Sequence, residues 1–405
     1  MNEKTLAVAA PLEQAQPVGR LMALACLIVF MAQMATTVYL PSLPIVMRDL
    51  GLSQDLVEMS ISGYVIGAAL PVLFWGAAAE RWGRRVPLLI SLTLFVTCSL
   101  LLTTTSTSAQ LLMLRVVQGI AGGGAAIIAR IVVRDNWRGD ELARKLSVLS
   151  IAFITALGGG QFIGGVIGKY SHWQVGFGLM AATGIAAALL TIGLPLETGR
   201  RADIAPLTRA TYWRILRRPN FLWPACAGAL GFATTVTLQE VSPFVFQEHF
   251  GLAVASFGNV GLLIGLSYFT GAMLVNRTVA ALGGLRLMQV GAGLVGVATL
   301  AMLLCWYLGL LEHTRGLWLF ISLYCLTIFG QAVLFPNSMA SAVSDAKDHG
   351  AGAMALCGFI QQGLAGIAAT VSVLLHHDGA WTLAVAALGL LTMLQVMVNV
   401  RRRAT

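Results

Sequence analysis

The chain of 405 residues is 57% hydrophobic and only 11% charged, with a mean hydropathy of +0.81, which excludes a soluble globular domain. Its net charge of +9 would suggest nucleic acid in a soluble protein. Here the basic residues cluster in the connections between apolar runs, so no nucleic-acid partner is expected.

A hydrocarbon core of about 30 Å needs about 20 apolar helical residues. Runs of that length predict twelve transmembrane helices at 21–43, 57–79, 86–105, 111–133, 148–168, 175–195, 221–245, 257–276, 286–310, 317–340, 353–375 and 381–400. The expected fold is an all-α membrane protein of two six-helix halves, 21–195 and 221–400. They are joined by a linker, 196–220, and flanked by an N-terminal segment, 1–20, and a basic tail, 401–405. No small-residue cleavage site follows the first run, so no cleaved signal peptide is expected. With a cytoplasmic N-terminus, the even-numbered connections of the first half and the linker hold Arg81, Arg84, Arg85, Arg134, Arg138, Arg144, Lys145, Arg200, Arg201, Arg209, Arg214, Arg217 and Arg218. The odd-numbered ones hold only Arg48, Lys169 and Arg315. This asymmetry places both termini in the cytoplasm of a bacterium, the chain crossing its inner membrane many times.

Helix 1 carries Gln33, Thr36 and Thr37 and leaves through TTVYLPSLPIVMRDLG, from Thr36 to Gly51. Helix 2 has Glu58 at its outer start and Tyr64 within it. Between helices 2 and 3, GAAAERWGRRVPLL (Gly76 to Leu89) wedges four charges between apolar runs. This stretch is similar to the loop signature of the major facilitator superfamily: Gly76, Glu80, Arg81, Gly83, Arg84 and Arg85 match, with Glu80 where Asp is usual. The resemblance implies a secondary transporter working by alternating access. The glycines let helix ends approach closely, Glu80 can cap a helix end or bond an arginine, and the arginines can grip carboxylates or lipid phosphates. The charges read as a latch at the cytoplasmic mouth, made in one transport state and broken in the other, or as plain positive-inside anchors.

In helix 4, LRVVQGIAGG (Leu114 to Gly123) resembles the Arg-x-x-Gln-Gly motif of the same superfamily, which implies a role for Arg115 in proton coupling or substrate charge. Arg115 and Gln118 share one helix face. An arginine inside an apolar span should face a polar cavity or a partner, or else snorkel to the surface. The glycines at 119, 122, 123 and 124 let another helix pack tightly or open room for substrate. RIVVRD (Arg130 to Asp135) closes the helix, and by the same resemblance Asp135 is the latch partner of Arg81 or Arg84, expected in the outward-open state.

The linker, with Pro206, Pro219 and six arginines, reads as a hinge. GAMLVNRTVAALGGLRLM, from Gly271, follows the eighth span as the charged loop follows the second, a degraded repeat with Asn276-Arg277 in place of Glu80-Arg81. Repeated halves place the substrate between them, near the midplane. In helix 7, Glu240 lies in TTVTLQEVSPFVF, the one carboxylate flanked by apolar sequence on both sides. Burial penalises a carboxylate's charge, so an embedded acid can load and release a proton near neutrality. Glu240 is therefore the expected proton carrier, with a position at the outer interface as the alternative.

Within the superfamily, the exit of helix 1 looks like the Asp-x-Tyr-Leu-Pro-x-Leu-Pro segment of the bicyclomycin/chloramphenicol-resistance (Bcr/CflA) drug:proton antiporters. Tyr39, Leu40, Pro41, Leu43 and Pro44 match, and Thr37 stands where that group commonly has Asp. Residues Phe335 to Gln362 also resemble its helix 10–11 region. Helix 5 departs from it: GGGQFIGG, Gly158 to Gly165, has Gln161 in place of a proline. The resemblance implies proton-coupled efflux of moderately hydrophobic drugs or small metabolites. Uptake of a metabolite or siderophore on the same fold is the alternative, and a membrane receptor or enzyme is the reading from another class.

The expected substrate cavity comprises Gln33, Thr37, Tyr39, Tyr64, Gln118, Gln161, Phe232, Gln331, Phe335, Asn337 and Gln361. Amides, hydroxyls and aromatic rings suit organic molecules that are neutral or weakly charged. The six cysteines form no C-x-x-C pair, the histidines have no matching carboxylate spacing, and no phosphate-binding Gly-x-x-x-x-Gly-Lys occurs. No catalytic residue, metal or cofactor is expected. The expected partners are a small organic substrate, protons and membrane lipids, with the chain acting as a monomer.

Overall fold

Without water to bond, every peptide group in a bilayer must find its partner inside the protein, and a long apolar run does so as a helix. The computed structural model describes residues 18–69, 71–137, 139–196, 209–344, 350–374 and 379–404, and every regular element among them is helical. The expected N-terminal segment therefore lies mostly outside the described residues, as do 197–208 of the linker, Arg138 and Thr405.

The first crossing is α1 (Val18–Thr37), a 3-10 elbow (Leu40–Ser42) and α2 (Leu43–Asp49). The second, expected as one helix over 57–79, is instead α3 (Gln54–Ala69) and α4 (Val72–Trp82), with Pro71 at the start of α4. Proline has no N–H to give the preceding turn and its ring crowds the carbonyl four residues back, so the helix is interrupted there. Next come α5 (Arg85–Leu102), α6 (Ser108–Asn136), α7 (Gly139–Tyr170) and α8 (Gln174–Ile192), then the short α9 (Arg209–Leu216) in the linker. The second half comprises α10 (Pro219–Phe244) with a π turn (Val245–His249), α11 (Val254–Leu282), α12 (Gly284–Tyr307), α13 (His313–Ser344), α14 (Gly350–Leu374) and α15 (Ala380–Ala404). Eleven helices among the described residues are long and apolar enough to cross a membrane, counting α1 with α2 and α10 with its π turn. The α3–α4 pair makes the twelfth crossing.

Two turns of the backbone recur in the two halves, but in a register four residues from the one read in the sequence, with Ala280 and Ala281 rather than Asn276 and Arg277 opposite Glu80 and Arg81. Gly83 (φ 80°) ends α4 and Gly283 (φ 78°) ends α11, while Gly51 (φ 61°) and Gly251 (φ 68°) precede α3 and α11. Each pair is 200 residues apart, and each occupies a backbone conformation that side-chain-bearing residues resist. Within the first half, α1 packs on α6, α7 and α8, and α5 on α6 and α8. Within the second, α10 packs on α13, α14 and α15, and α12 on α13 and α15.

Between the halves, α7 lies along α11, α3 along α14, and the elbow against α10 and α11. Glycines set the α7–α11 distance: a Cβ on Gly165 would come within 2.7 Å of Gly258 Cα, and one on Gly158 within 2.9 Å of Gly261 O. Small residues let the backbones approach this closely. The main apolar core is continuous across both halves at the end of the bundle that carries the elbow, where Leu43, Phe246, Phe257 and Phe320 belong to one cluster. At the opposite, linker end, the second half keeps a separate cluster of its own around Ile215, Phe221, Ala342 and Leu356. The structure is thus sealed at the elbow end.

Candidate functional site

Two buried ionisable side chains and one ion pair dominate the polar chemistry. The first charge is Arg115 on α6, a helix whose start is fixed by Thr107, which accepts from the Gln110 N–H at 3.3 Å. Gly119 and Gly123 bring α6 against α3, a Cβ on Gly123 coming within 2.6 Å of Ala68 O, so Arg115 is enclosed by the first half. It is 0% exposed. Its Nη1 donates to Ala35 O at 3.0 Å and to Gln118 Oε1 at 2.7 Å, and its Nε donates to Ser60 O at 3.2 Å. The rings of Tyr64, Tyr39 and Phe177 lie 4.7, 5.1 and 5.9 Å from the guanidinium carbon. Carbonyl oxygens and π faces together offset much of the penalty of burying a cation. Nη2 alone has no hydrogen-bond partner.

This arrangement excludes snorkelling and also moves Arg115 away from the expected central cavity. Its contacts hold the end of α1, where the helix gives way to the elbow: Tyr64 donates to Ala32 O at 2.8 Å while Arg115 takes Ala35 O. A cation at a helix C-terminus is favoured by the backbone dipoles there. Gln118 is equally internal, donating to Ser99 Oγ at 2.8 Å. Thr37, at 0% exposure, donates to Ala156 O on α7 at 2.8 Å. Thr37, Tyr39, Tyr64 and Gln118 therefore sit inside the first half, held by their own hydrogen bonds and rings, rather than on a surface between halves.

The second buried ionisable group is Glu240 on α10, 1% exposed. Its Oε1 accepts a short hydrogen bond from Ser62 Oγ on α3, across the boundary between the halves, and its Oε2 has no hydrogen-bond partner. The helix does not leave Glu240 at the interface: the elbow and α2 cover this end of α10. Glu58, expected at the outer surface, is also 0% exposed, and its Oε1 accepts from Gln54 Nε2 at 2.6 Å. It lies one helical turn from Ser62, the residue that bonds Glu240. Further hydrogen bonds close this seam, from Gln247 to Pro41 O at 2.9 Å and from Gln161 to Phe257 O at 3.1 Å. Gln161 is thus a cross-link between α7 and α11. Sequence reading missed Ser62 and undervalued Glu58; the Gln54, Glu58, Ser62 spacing of four was the available signal.

The ion pair is Arg84 with Asp135, 2.9 Å apart and 15% and 8% exposed. Arg84 also donates to Ala79 O at 2.8 Å, and Arg134 approaches Asp135 at 3.2 Å. Arg81 is exposed, and Arg85 donates to Ile192 O at 2.7 Å. Gly76 lies within α4 and Gly83 ends it; Glu80 lies in α4, its side chain outside what is described. Every partner of this cluster belongs to the first half, and the pair is made while the elbow end is sealed.

Of the other expected cavity residues, Asn337 donates to Val333 O of its own helix at 2.8 Å. Gln331 clamps α10, with Gly231 O and Phe232 N at 3.2 and 3.1 Å once its amide is oriented to satisfy both atoms. Gln33, Phe232, Phe335 and Gln361 are half-buried. Among the described residues no group of three or more His, Cys, Asp or Glu converges as a metal site would require.

The family profile described as Major Facilitator Superfamily matches residues 25–370. The chain is 22% identical to a "Bicyclomycin resistance protein homolog" of Haemophilus influenzae over 346 residues, 84% of this chain and 86% of that one. It is 25% identical to "Multidrug resistance protein D" of Escherichia coli over 362 residues, 88% of this chain and 89% of that one. Among solved structures, a D-xylose-proton symporter matches with a TM-score of 0.77 at 15% identity, covering 94% of this chain and 97% of that one, a likeness of fold.

Proposed function

The chain belongs to the Major Facilitator Superfamily, a transporter rather than an enzyme, and from that premise we propose that it exports moderately hydrophobic small organic molecules from the bacterial cytoplasm in exchange for protons. The relatives named for bicyclomycin and multidrug resistance support export of drug-like compounds. The observation that carries the coupling is Glu240, buried in the seam and bonded to Ser62 of the other half.

A neutral carboxyl fits a water-poor seam, whereas a carboxylate there lacks the donors it needs. In this reading the elbow end faces outward, both termini lie in the cytoplasm, and the sealed form carries a proton on Glu240. Substrate arrives from the linker end among Gln33, Phe232, Phe335 and Gln361, and the proton leaves to the cytoplasm. The charged seam then opens outward, substrate departs, and a proton from outside reseals it. One proton moves inward for each substrate moved outward. The Arg84–Asp135 pair serves as a brace that keeps the first half rigid while the halves rock, and Arg115 fixes the end of α1 behind the elbow.

The test is flux in inside-out vesicles with an imposed pH gradient, using a panel of hydrophobic antibiotics that includes bicyclomycin. Accumulation driven by an acidic lumen supports export. Accumulation driven by an acidic exterior indicates uptake, and indifference to pH rejects coupling.

A further inference from the structure

Gln54, Glu58 and Ser62 recur every four residues along α3 and so form a row on one face. Burial deepens along it. Gln54 is half-buried at the helix start, beside exposed Ser53, while Glu58 and Ser62 are 0% and 1% exposed. Gln54 donates to Glu58, and Ser62 donates to Glu240, so a polar row runs from the elbow-end surface to the buried carboxyl of the other half. The seam around it is otherwise closed by apolar side chains such as Val57, Ile61 and Val241, which leaves substrate no passage.

We propose that Glu58 is a second proton site, the relay through which Glu240 takes its proton from outside as the elbow end recloses, once substrate has left. The inference rests on the reading of Glu240 given above. The step balances as a concerted shift. Glu58, which here accepts from Gln54, turns its protonated carboxyl toward Ser62 one turn along the helix and gives its proton to Ser62 Oγ, the Ser62 hydroxyl proton passes to Glu240 Oε1, and Glu58 is left as the carboxylate, to be reprotonated from the surface beside Gln54. The hydroxyl already points the required way, as a donor to Glu240. Two anions flanking Ser62 in a water-poor seam would repel, so the pair keeps at least one proton while the seam is shut.

The charged and titratable groups on the elements around the relay are few. Asp55 lies on α3 itself, Arg48 and Asp49 at the exposed end of α2, and Arg115 and Tyr39 beyond Ser60. Tyr324 on α13 lies beside Ser242, and Glu248 and His249 stand on the exposed π turn. The Nε and Nη1 donors of Arg115 are bonded within the first half, and Glu58 is the buried carboxyl one turn from Ser62.

The test is a pH jump on the full-length protein in proteoliposomes, followed by the infrared carbonyl stretch of a protonated carboxyl, with the Glu240 signal identified by its loss in Glu240→Gln. Glu58→Gln and Ser62→Ala are expected to slow proton loading of Glu240 from the elbow side by about tenfold or more, and Ser62→Thr to restore it. Wild-type loading rates in both Glu58→Gln and Ser62→Ala would overturn the relay while leaving Glu240 as carrier. If Glu240→Gln changes neither the infrared signal nor gradient-driven flux, the underlying reading of Glu240 fails, and the relay with it.

Discussion

The two halves share two glycine turns offset by 200 residues, yet one buries a cation and the other a titratable carboxyl, and they do so in different ways. In the first half Arg115 bonds only to residues of that half, Ala35, Ser60 and Gln118. In the second half Glu240, at the position that Leu40 holds in the first, takes its hydroxyl donor from the other half. A charge satisfied inside one rigid body is indifferent to how the bodies move. A charge satisfied across the boundary differs in free energy between open and closed states, and only such a difference can couple proton binding to motion. The latch loop repeats the contrast: the residue 200 positions beyond Arg84 is Gly284, so the ion pair to Asp135 has no counterpart built on that residue.

The largest expected effect that would break this comparison is on stability. Arg115→Ala leaves Gln118 Oε1 and Ala35 O without their donor in a buried site, at about 1–3 kcal/mol for each group, so the purified protein should melt several degrees lower, with Arg115→Lys intermediate. A wild-type melting curve for Arg115→Ala would show that the first half is not closed around its cation. Next is the seam. Gly165→Val places a side chain against Gly258 Cα and Val254 O, and overpacking of about 1–3 kcal/mol should shift the balance toward the open elbow end by roughly 5- to 150-fold. Labelling of a cysteine introduced at Pro41 should rise accordingly; unchanged labelling would mean α7 and α11 do not set the seal.

Smaller effects sharpen the contrast. Thr37→Val removes one buried hydrogen bond, about 1 kcal/mol, and should leave the pH dependence of transport untouched. Thr37→Asp would face Ala156 O with no donor, so it should lower stability without adding a coupled proton; a raised proton-to-substrate ratio would instead make the first half a working acid site. Smallest is Asp135→Asn. Arg84 keeps its bond to Ala79 O, and although the pair is mostly buried asparagine still offers it an acceptor, so transport should fall less than about twofold. Complete loss of transport would restore a switching role to the pair.

The fold was legible because apolar run length and charge asymmetry are direct consequences of the bilayer. What run length could not show was the break at Pro71, since α3 and α4 together are as apolar as one helix. The charged loop and Asp135 were legible from spacing, and the structure distinguishes Arg84 from Arg81. Arg115 was visible as an oddity, but its surroundings were not: whether a buried arginine faces a cavity or an aromatic cage depends on Tyr39, Tyr64 and Phe177, which come from three other elements. Glu58 was misplaced because four residues into a helix reads as surface, while the elbow and α2 fold over that end. Ser62 shares a spacing of four with Gln54 and Glu58, but a small hydroxyl in an apolar run does not show which group it meets until its partner 178 residues away is known.

The most direct measurement compares wild type and Glu240→Gln on one proteoliposome preparation, reading both downhill exchange of a transported antibiotic and its accumulation against a gradient driven by pH. Glutamine keeps the size and a hydrogen bond to Ser62 but cannot change charge. The account predicts that exchange survives and that pH-driven accumulation vanishes. Accumulation by Glu240→Gln at the wild-type level would contradict it, and the proton would have to travel elsewhere.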